Sequence, residues 1–196
     1  MLAEITPQED EIRRNQRAFE EIVSYIESSF FDKKGTSVKV SLYGSAASGL
    51  ALRGTSDIDI CVQIPQEAEE LILNNNSLYE VVLEGLTTSF KSDNFIIQKS
   101  SVFNATFGSN VDITLDTKGD EIIKVGICLE RPETLRHVEL FKTYMQLDER
   151  VKPLLLLLKY WNKSTFSDPN NRMLTSHAVC LMVVSYLQHE MVLPRL

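Results

Sequence analysis

LYGSAASGLALRGTSDIDICVQI, residues 42–64, is the stretch from which the fold of this chain can be predicted. A Gly-Ser pair, Gly44 and Ser45, closes one apolar run, and two aspartates one residue apart, Asp57 and Asp59, open the next. Because side chains alternate between the two faces of a strand, we expect both aspartates on one surface and the apolar residues between them in a core. Two carboxylates held this close favour a cation between them. Carboxylate oxygens are hard ligands, so the preferred cation is Mg²⁺ or Mn²⁺.

The Gly-Ser turn is expected at the mouth of the same strand pair. Backbone N–H groups and the Ser45 hydroxyl can hold a phosphate there. The alternative is that Asp57 and Asp59 are an isolated, solvated Asp-x-Asp at the start of a strand. The turn, the spacer and the alternating apolar residues together favour a functional site.

Composition places the chain among globular proteins of one or two domains. It has 196 residues, 43% of them hydrophobic, and a net charge of −7. The acidic balance argues against a general nucleic-acid coat but permits a local basic cleft. An acidic start and short apolar runs predict a soluble, intracellular protein without a membrane segment. The expected location is the cytoplasm, with the nucleus as the alternative. Cys61, Cys128 and Cys180 lie in apolar runs and are expected to be reduced core thiols.

Alternating apolar residues predict strands in the first two thirds of the chain. One strand is expected over Ser37–Tyr43, and a second contains the aspartates and ends at Pro65. Phe95–Phe107 has a weak strand pattern. Val111–Asp116 alternates apolar and polar residues over its whole length.

Helical spacing predicts helices between and around these strands. One long amphipathic helix is expected from Thr6 to about Phe30, with Pro7 in its first turn. The remaining predicted helices are Gln66–Asn74, Ser77–Ser89, Pro132–Met145, Asp148–Lys163 and Thr175–His189. The pattern predicts a strand-rich catalytic unit packed against a helical domain, with a cleft between them.

VDITLD, residues 111–116, supplies a candidate third carboxylate. Alternation places Asp112 and Asp116 on the same face of the strand. Asp116 would lie roughly 13 Å further along, too far to share a metal pair spaced about 4 Å. Asp112 is therefore the better candidate, and a strand aspartate that faces solvent is the alternative.

Several motifs in order resemble a known family. Gly-Ser, a spacer and Asp-hydrophobic-Asp look like the signature of the DNA polymerase beta-like nucleotidyltransferase superfamily. VDITLD, LFKTYMQLDERVKPLLLLLKYWNK (140–163) and LTSHAVCLMVVSYLQ (174–188) resemble successive blocks of the terminal uridylyltransferases and cytoplasmic-type poly(A) RNA polymerases. The resemblance runs from Leu42 to the end of the chain.

The resemblance implies an α+β fold in which a mixed-sheet nucleotidyltransferase domain packs against a helical domain. The catalytic domain would span residues 35–128. The helical central domain would span 129–196 and be incomplete at its C-terminus, since in the family it continues beyond a Leu-Pro-x-Leu segment. An N-terminal helix, 1–34, would pack with the helical domain.

The resemblance also implies a chemistry. Asp57, Asp59 and Asp112 would form a catalytic triad that holds two Mg²⁺ (or Mn²⁺) ions. One ion would lower the pKa of the RNA 3′-hydroxyl, and the other would stabilise the departing pyrophosphate. The implied activity is template-independent addition of UMP or AMP, from UTP or ATP, to an RNA 3′ end.

Further positions match nucleotide contacts of the family. The implied substrate-binding residues are Gly44, Ser45, Lys159, Lys163, Ser176 and His177. The two lysines lie four residues apart and hence on one helix face, where two solvated side chains are the alternative. Ser176 is expected at a helix start, where free N–H groups favour anions. His177 stands where the family usually has a base-stacking tyrosine, and it offers less stacking area.

Two departures from the family pattern motivate a second hypothesis. His137-Val138 replaces a ribose-contacting Asn-Thr or Asn-Ser, and valine cannot make that hydrogen bond. SSVFNATF replaces a segment in which the family often carries a basic residue, a proline and a lysine. Together with the early end of the chain, they favour a catalytically weak or silent nucleotide- or RNA-binding relative that acts as a partner protein. A third, remoter reading keeps the superfamily but gives the chain a small-molecule or protein substrate. The sequence identifies no protein partner.

Overall fold

A mixed five-stranded sheet forms the centre of the chain. The computed structural model describes residues 2–27, 38–55, 57–63, 78–105, 108–117, 121–129, 132–165 and 174–195. The strands are β1 (Lys39–Tyr43), β2 (Ile58–Gln63), β3 (Ile96–Ala105), β4 (Gly108–Asp116) and β5 (Ile122–Leu129). Their order in the sheet is β1-β2-β5-β4-β3. β2 and β5 run parallel, and every other neighbouring pair is antiparallel.

Helices pack on the sheet and form a second layer beside it. The helices of the described residues are α1 (Leu2–Ile5), α2 (Glu9–Ser24), α3 (Gly44–Ser48), α4 (Leu78–Ser89), α5 (Pro132–Leu147), α6 (Val151–Thr165) and α7 (Ser176–His189). None of them combines the length and the hydropathy needed to cross a membrane. The three cysteines are buried thiols rather than disulfides, as predicted.

Two apolar clusters divide the interior. The first joins the sheet to α2 and α4, and it contains Ile58, Ile60 and Val62 of β2 together with Ile22 of α2. The second lies among α5, α6 and α7 and includes Leu50 from the segment after α3. The segment between α3 and β2 therefore runs from the helical layer to the sheet.

The long amphipathic helix predicted from Thr6 is α2, which begins at Glu9 instead; its predicted end near Phe30 lies outside the described residues. The short helix α1 precedes it, and Gln8 between the two helices is extended, with φ −81° and ψ 163°. Pro7 has no N–H and disfavours helical backbone at the residue before it, so the helix restarts at Glu9. The short α1 places Ile5 in the helical cluster, whereas Ile22 of α2 lies in the sheet cluster.

The strand prediction missed β5. Its sequence IIKVGICL has buried residues at the alternating positions Ile123, Val125 and Ile127, and this alternation is the signal that identifies it. The strands predicted at 37–43, 95–107 and 111–116 are found wherever they are described. Pro65 and the helix predicted at Gln66–Asn74 lie outside the described residues.

Candidate functional site

A cavity of 430 Å³ lies between the β1–β2 end of the sheet and helices α5, α6 and α7. The sequence-predicted residues that line it are Gly44, Ser45, Asp57, Asp59, Lys159, Lys163, Ser176 and His177. Asp112 is not among the lining residues. The prediction missed Tyr43, Thr55 and Phe141, which no local motif marks because they reach the cavity only through the packing of the elements around it.

The aspartate pair stands where β2 begins. β2 starts at Ile58, so exposed Asp57 lies just outside it and partly buried Asp59 is its second residue. Antiparallel pairing sets Asp59 opposite Tyr43, the last residue of β1. The end of β1 and the start of β2 therefore meet at the cavity, as the sequence pattern predicts.

Gly44 allows the backbone to pass directly beside the Asp59 carboxylate. Its φ is +67°, and a Cβ placed on it would overlap the carboxyl group of Asp59. The Gly-Ser pair predicted as a turn forms the first two residues of the short helix α3. The Ser48 hydroxyl of this helix donates to the Gly44 carbonyl at 2.9 Å. Glycine is needed here for both its conformation and its lack of a side chain.

Two hydrogen bonds from the N-terminal region hold the segment that leads to Asp57. The Gly54 N–H donates to the buried carboxylate of Glu11 at 2.9 Å, and the Arg53 N–H donates to the Ile5 carbonyl at 2.9 Å. The acidic first turn of α2 interacts favourably with the helix dipole. Its Glu11 also holds in place the segment that leads to Asp57.

Negative charge accumulates around Asp59. Burial is the main cause that raises its pKa to about 7, and the charges of Asp57 and Asp112 add to it, while Lys159 acts in the opposite direction. The pKa of Asp112 is also raised, by burial and then by Asp57. A carboxylate that resists ionisation in this way would be stabilised in its charged form by a cation.

Lys159 and Lys163 approach the cavity from α6. Lys159 is only 4% exposed, and its ammonium donates to the Leu50 carbonyl. The ammonium of the exposed Lys163 donates to the Thr55 carbonyl at 3.0 Å, and burial lowers the pKa of both lysines. The two lysines share one helix face, as predicted, and bind the segment between α3 and β2 at two places. Lys159 is therefore a structural contact as well as a source of positive charge.

A group of rings lines the opposite wall of the cavity. The rings of His137 and His177 lie 4.5 Å apart between centroids, and Phe141 meets His177 edge-on at 5.7 Å. Burial, and then the neighbouring His137, lowers the pKa of His177, which favours a neutral imidazole. Ser176 begins α7, whose cap is the Thr175 side chain, which accepts from the Ala178 N–H at 3.1 Å.

Asp112 lies two strands away from the aspartate pair. β5 separates β4 from β2, and Gly126 of β5 is in register with Asp59 on one side and Asp112 on the other. Over the described ranges, no group of three or more His, Cys, Asp or Glu residues is arranged to hold a metal ion. Asp57 and Asp59 by themselves suit a divalent cation that takes its other ligands from water and phosphate. The role of Asp112 as the third metal-binding carboxylate stays a prediction.

Known proteins with similar sequences include nucleotidyltransferases. Residues 25–118 match the model of the nucleotidyltransferase domain. The chain is 29% identical over 150 residues to the terminal uridylyltransferase cid1 of Schizosaccharomyces pombe, covering 75% of this chain and 34% of that protein. It is 29% identical over 158 residues to the poly(A) RNA polymerase GLD2-B of Xenopus laevis, covering 79% of this chain and 29% of that protein.

The fold is also found among solved structures. The structure of a Cid1 H336N mutant bound to MgATP superposes with a TM-score of 0.71 at 24% sequence identity, covering 94% of this chain and 53% of that one. This confirms the predicted α+β fold. The chain spans about a third of the length of the curated relatives it matches. The chain is thus similar over residues 25–118 to the nucleotidyltransferase domain, and along most of its length to a terminal uridylyltransferase and a poly(A) RNA polymerase.

Proposed function

We propose that the cavity binds UTP or ATP and that the chain acts as a template-independent RNA nucleotidyltransferase, adding UMP or AMP to an RNA 3′ end and releasing pyrophosphate. One observation carries the proposal. A single cavity brings together paired carboxylates, two ammonium groups and a set of rings, which are the groups needed to hold a metal-bound triphosphate and its base. Relatives that are a terminal uridylyltransferase and a poly(A) RNA polymerase support the same assignment.

In this proposal, each wall of the cavity has its own task. Asp57 and Asp59 hold a divalent ion, Mg²⁺ or Mn²⁺, which supplies charge neutralisation at the phosphates when it is bound. Lys163 lines the same cavity and contacts the triphosphate, and Gly44 and Ser45 contact it from the start of α3. Phosphoryl transfer depends mainly on positioning and charge neutralisation, so the site needs no side-chain nucleophile.

The base would lie against His177 and Ser176 at the start of α7. The rings of His137 and Phe141 contact the His177 imidazole, and these contacts restrict its rotation before a nucleotide binds. A ring that is already restricted loses little conformational entropy on binding, and this smaller entropy cost partly offsets the small stacking area of histidine.

The proposal extends to domain organisation and location. We propose an N-terminal helical region (1–34), a catalytic domain (35–128) and a helical domain (129–196). The two apolar clusters, one at the sheet and one among α5, α6 and α7, support the separation of the catalytic domain from the helical domain, and α2 of the N-terminal region packs with the sheet cluster. A cytoplasmic location is proposed by analogy with a solved relative described as a cytoplasmic RNA terminal U-transferase.

The first test is extension of a labelled, unstructured RNA oligonucleotide with Mg²⁺ and each single nucleoside triphosphate. We expect extension with UTP or ATP, and we expect the Asp57→Asn/Asp59→Asn double variant to lose it, because the variant removes both carboxylates at the cavity. The nucleotide that is incorporated identifies the base preference. A folded double variant that extends RNA as well as the unchanged chain does would refute the assignment of the site.

Lys163→Ala tests the triphosphate contact. The substitution removes a positive charge at the cavity and the hydrogen bond to the Thr55 carbonyl, so we expect the KM for the nucleotide to rise about tenfold while kcat changes less. Lys142→Ala, on the surface of α5 where Lys142 pairs with Glu139, is the matched control and should leave KM unchanged. Equal KM values for the two variants would remove Lys163 from the nucleotide site.

A catalytically weak or silent nucleotide-binding relative is the alternative function. It is favoured by Val138, which is buried at the position where the family usually has a ribose contact. This alternative predicts nucleotide binding at the cavity without RNA extension. The two functions are therefore separated by measuring UTP binding and RNA extension on the same preparation.

A further inference from the structure

A second groove, of 530 Å³, runs along the first half of α2 and shares no lining residue with the cavity of the aspartate pair. Arg13, Arg14 and Arg17 of α2 form one wall of it. The other walls come from the segment before β3 and from Thr117, which follows β4. Three guanidinium groups therefore gather in one place, which we call the arginine groove, although the net charge of the chain is −7.

Arg14 has a buried donor without an acceptor. Its Nε is the one buried side-chain nitrogen or oxygen that lacks a hydrogen-bond partner in the part of the chain that the structure describes. Its Nη1 forms an ion pair with Glu121, so the guanidinium is held beside the groove. Buried polar groups are nearly always hydrogen-bonded, and an exception needs an explanation such as a bound ion or ligand. Because the Arg14 side chain as a whole is 24% exposed, a small rotation would present the Nε to an anion in the groove.

Arg13 and Arg17 keep most of their positive charge available. Arg13 lies 3.9 Å from the Glu9 carboxylate, but the two side chains are 77% and 93% exposed, so the ion pair is weak. Arg17 is exposed and forms no ion pair with any residue that the structure describes. The two arginines are four residues apart and so share one face of α2. Both can therefore contact an anion that lies along this face.

The remaining lining residues favour a nucleotide over a simple anion. Asp10, Asp93 and Asn94 also line the groove. The two carboxylates would repel inorganic phosphate. A nucleotide unit of RNA carries a phosphate that accepts from arginine and a ribose hydroxyl that donates to a carboxylate. The groove also has the volume of a small-ligand site, which is roughly 300–1,000 Å³.

The arginine groove lies towards the end of the sheet at which the aspartate pair stands. Glu121, the partner of Arg14, is roughly 13 Å beyond the residue of β5 that is in register with Ile58, the first residue of β2. Glu11, one turn before Arg14 on α2, accepts a hydrogen bond from the segment that leads to Asp57. An RNA strand whose 3′ end lies in the cavity can therefore reach the groove past the start of β2.

We propose that the arginine groove binds the backbone of single-stranded RNA upstream of its 3′ end, with Arg13, Arg14 and Arg17 on the phosphates. The inference rests on the proposed function for the identity of RNA as the substrate. Phosphate contacts position a nucleic acid but do not read its sequence. The groove thus raises the affinity for RNA that is long enough to reach it, and it leaves nucleotide binding in the cavity unaffected.

The test measures binding of a long, unstructured, fluorescently labelled RNA to the whole chain and to Arg13→Gln/Arg17→Gln, by anisotropy over a range of salt concentrations. Both arginines are exposed, so the double variant should fold normally. We expect its RNA affinity to fall about tenfold, because two phosphate contacts are lost. The slope of log affinity against log salt should become shallower by about 1.4, since each contact to a single strand contributes about 0.7. UTP binding to the same preparations should not change.

Lys142→Gln/Arg150→Gln is the matched control. It removes the same charge from α5 and from the turn before α6, where Lys142 pairs with Glu139 and Arg150 with Asp148. Its RNA affinity should equal that of the unchanged chain. Equal losses in the two double variants would show that net charge governs RNA binding and would overturn the inference. Binding of inorganic phosphate that is lost in Arg13→Gln/Arg17→Gln, with RNA affinity unchanged, would also overturn it and would assign the groove to free phosphate.

Failure of the proposed function gives a different result. If the chain binds RNA but does not extend it, the transferase assignment is wrong, and the difference in RNA affinity between the two double variants still tests the groove. If the chain extends RNA, Arg13→Gln/Arg17→Gln should raise the KM for long RNA and leave kcat and the KM for the nucleotide unchanged. Extension with an unchanged RNA KM and unchanged RNA affinity would overturn the inference while leaving the proposed function intact.

Discussion

Asp59→Asn is expected to abolish nucleotide transfer and to stabilise the metal-free chain at the same time. The pKa of Asp59 is raised from 3.8 to about 7, mainly by burial and then by the charge of Asp57. Asparagine has nearly the same shape but carries no charge, so it removes the cost of an ionised group next to other carboxylates. In the proposed function, the same substitution also removes a ligand for the cation.

The effect on stability depends on pH. Between pH 3.8 and 7 the folded chain binds the Asp59 proton more strongly than the unfolded chain, so the free energy of unfolding falls as pH rises through this window. Above pH 7 the full penalty is present, and below pH 3.8 it is absent. Asp59→Asn should therefore raise Tm at pH 8 and change it little at pH 4.

Thermal melting at pH 4 and pH 8, without divalent metal, measures this effect. For a chain of this size, each 1 kcal/mol shifts Tm by about 2–4 °C. Asp116→Asn is the matched control: it lies outside the cavity, and asparagine keeps an oxygen that can accept the hydrogen bond from Gln98. An Asp59→Asn variant less stable than the unchanged chain at pH 8 would contradict the electrostatic account of the site.

Gly44→Ala is expected to damage both stability and activity. A non-glycine residue in the left-handed region costs about 1–2 kcal/mol. The new methyl group would also overlap the Asp59 carboxylate, so either α3 or Asp59 must move. Displacement of Asp59 disturbs the aspartate pair, and we expect transfer to fall about a hundredfold or more, as for loss of a major electrostatic contact.

Gly54→Ala separates the two causes. Gly54 has nearly the same φ, +64°, but a Cβ there would meet nothing within 4 Å. Its N–H bond to Glu11 involves only backbone on the glycine side and survives the substitution. Gly54→Ala should therefore show the conformational cost alone, in chemical unfolding experiments, with activity nearly unchanged. Equal losses of stability and activity in the two variants would show that contact with Asp59 is not the cause.

The resemblance to nucleotidyltransferases, the aspartate pair and about half of the cavity residues can be predicted from the sequence. Gly44, Asp57 and Asp59 lie within one short stretch, and their spacing and strand alternation are local properties. Lys159 and Lys163 follow from helical spacing in the same way. Local patterns of this kind predict which residues share a face of an element, because the backbone geometry of strands and helices is nearly constant.

The tertiary structure alone decided which elements lie side by side. The sequence placed Asp112 on a strand face but could not show that β5, a strand missed in the prediction, separates it from Asp59. It could not show that Gly126 lies beside the carboxylates of Asp59 and Asp112. Nor could it show that the rings of His137 and Phe141 contact that of His177. Sheet order and helix packing are set by contacts between residues far apart in the chain, which no local pattern encodes. The aspartate pair was thus determined by the sequence. The position of Gly126 between Asp59 and Asp112 was decided only by the order of the strands.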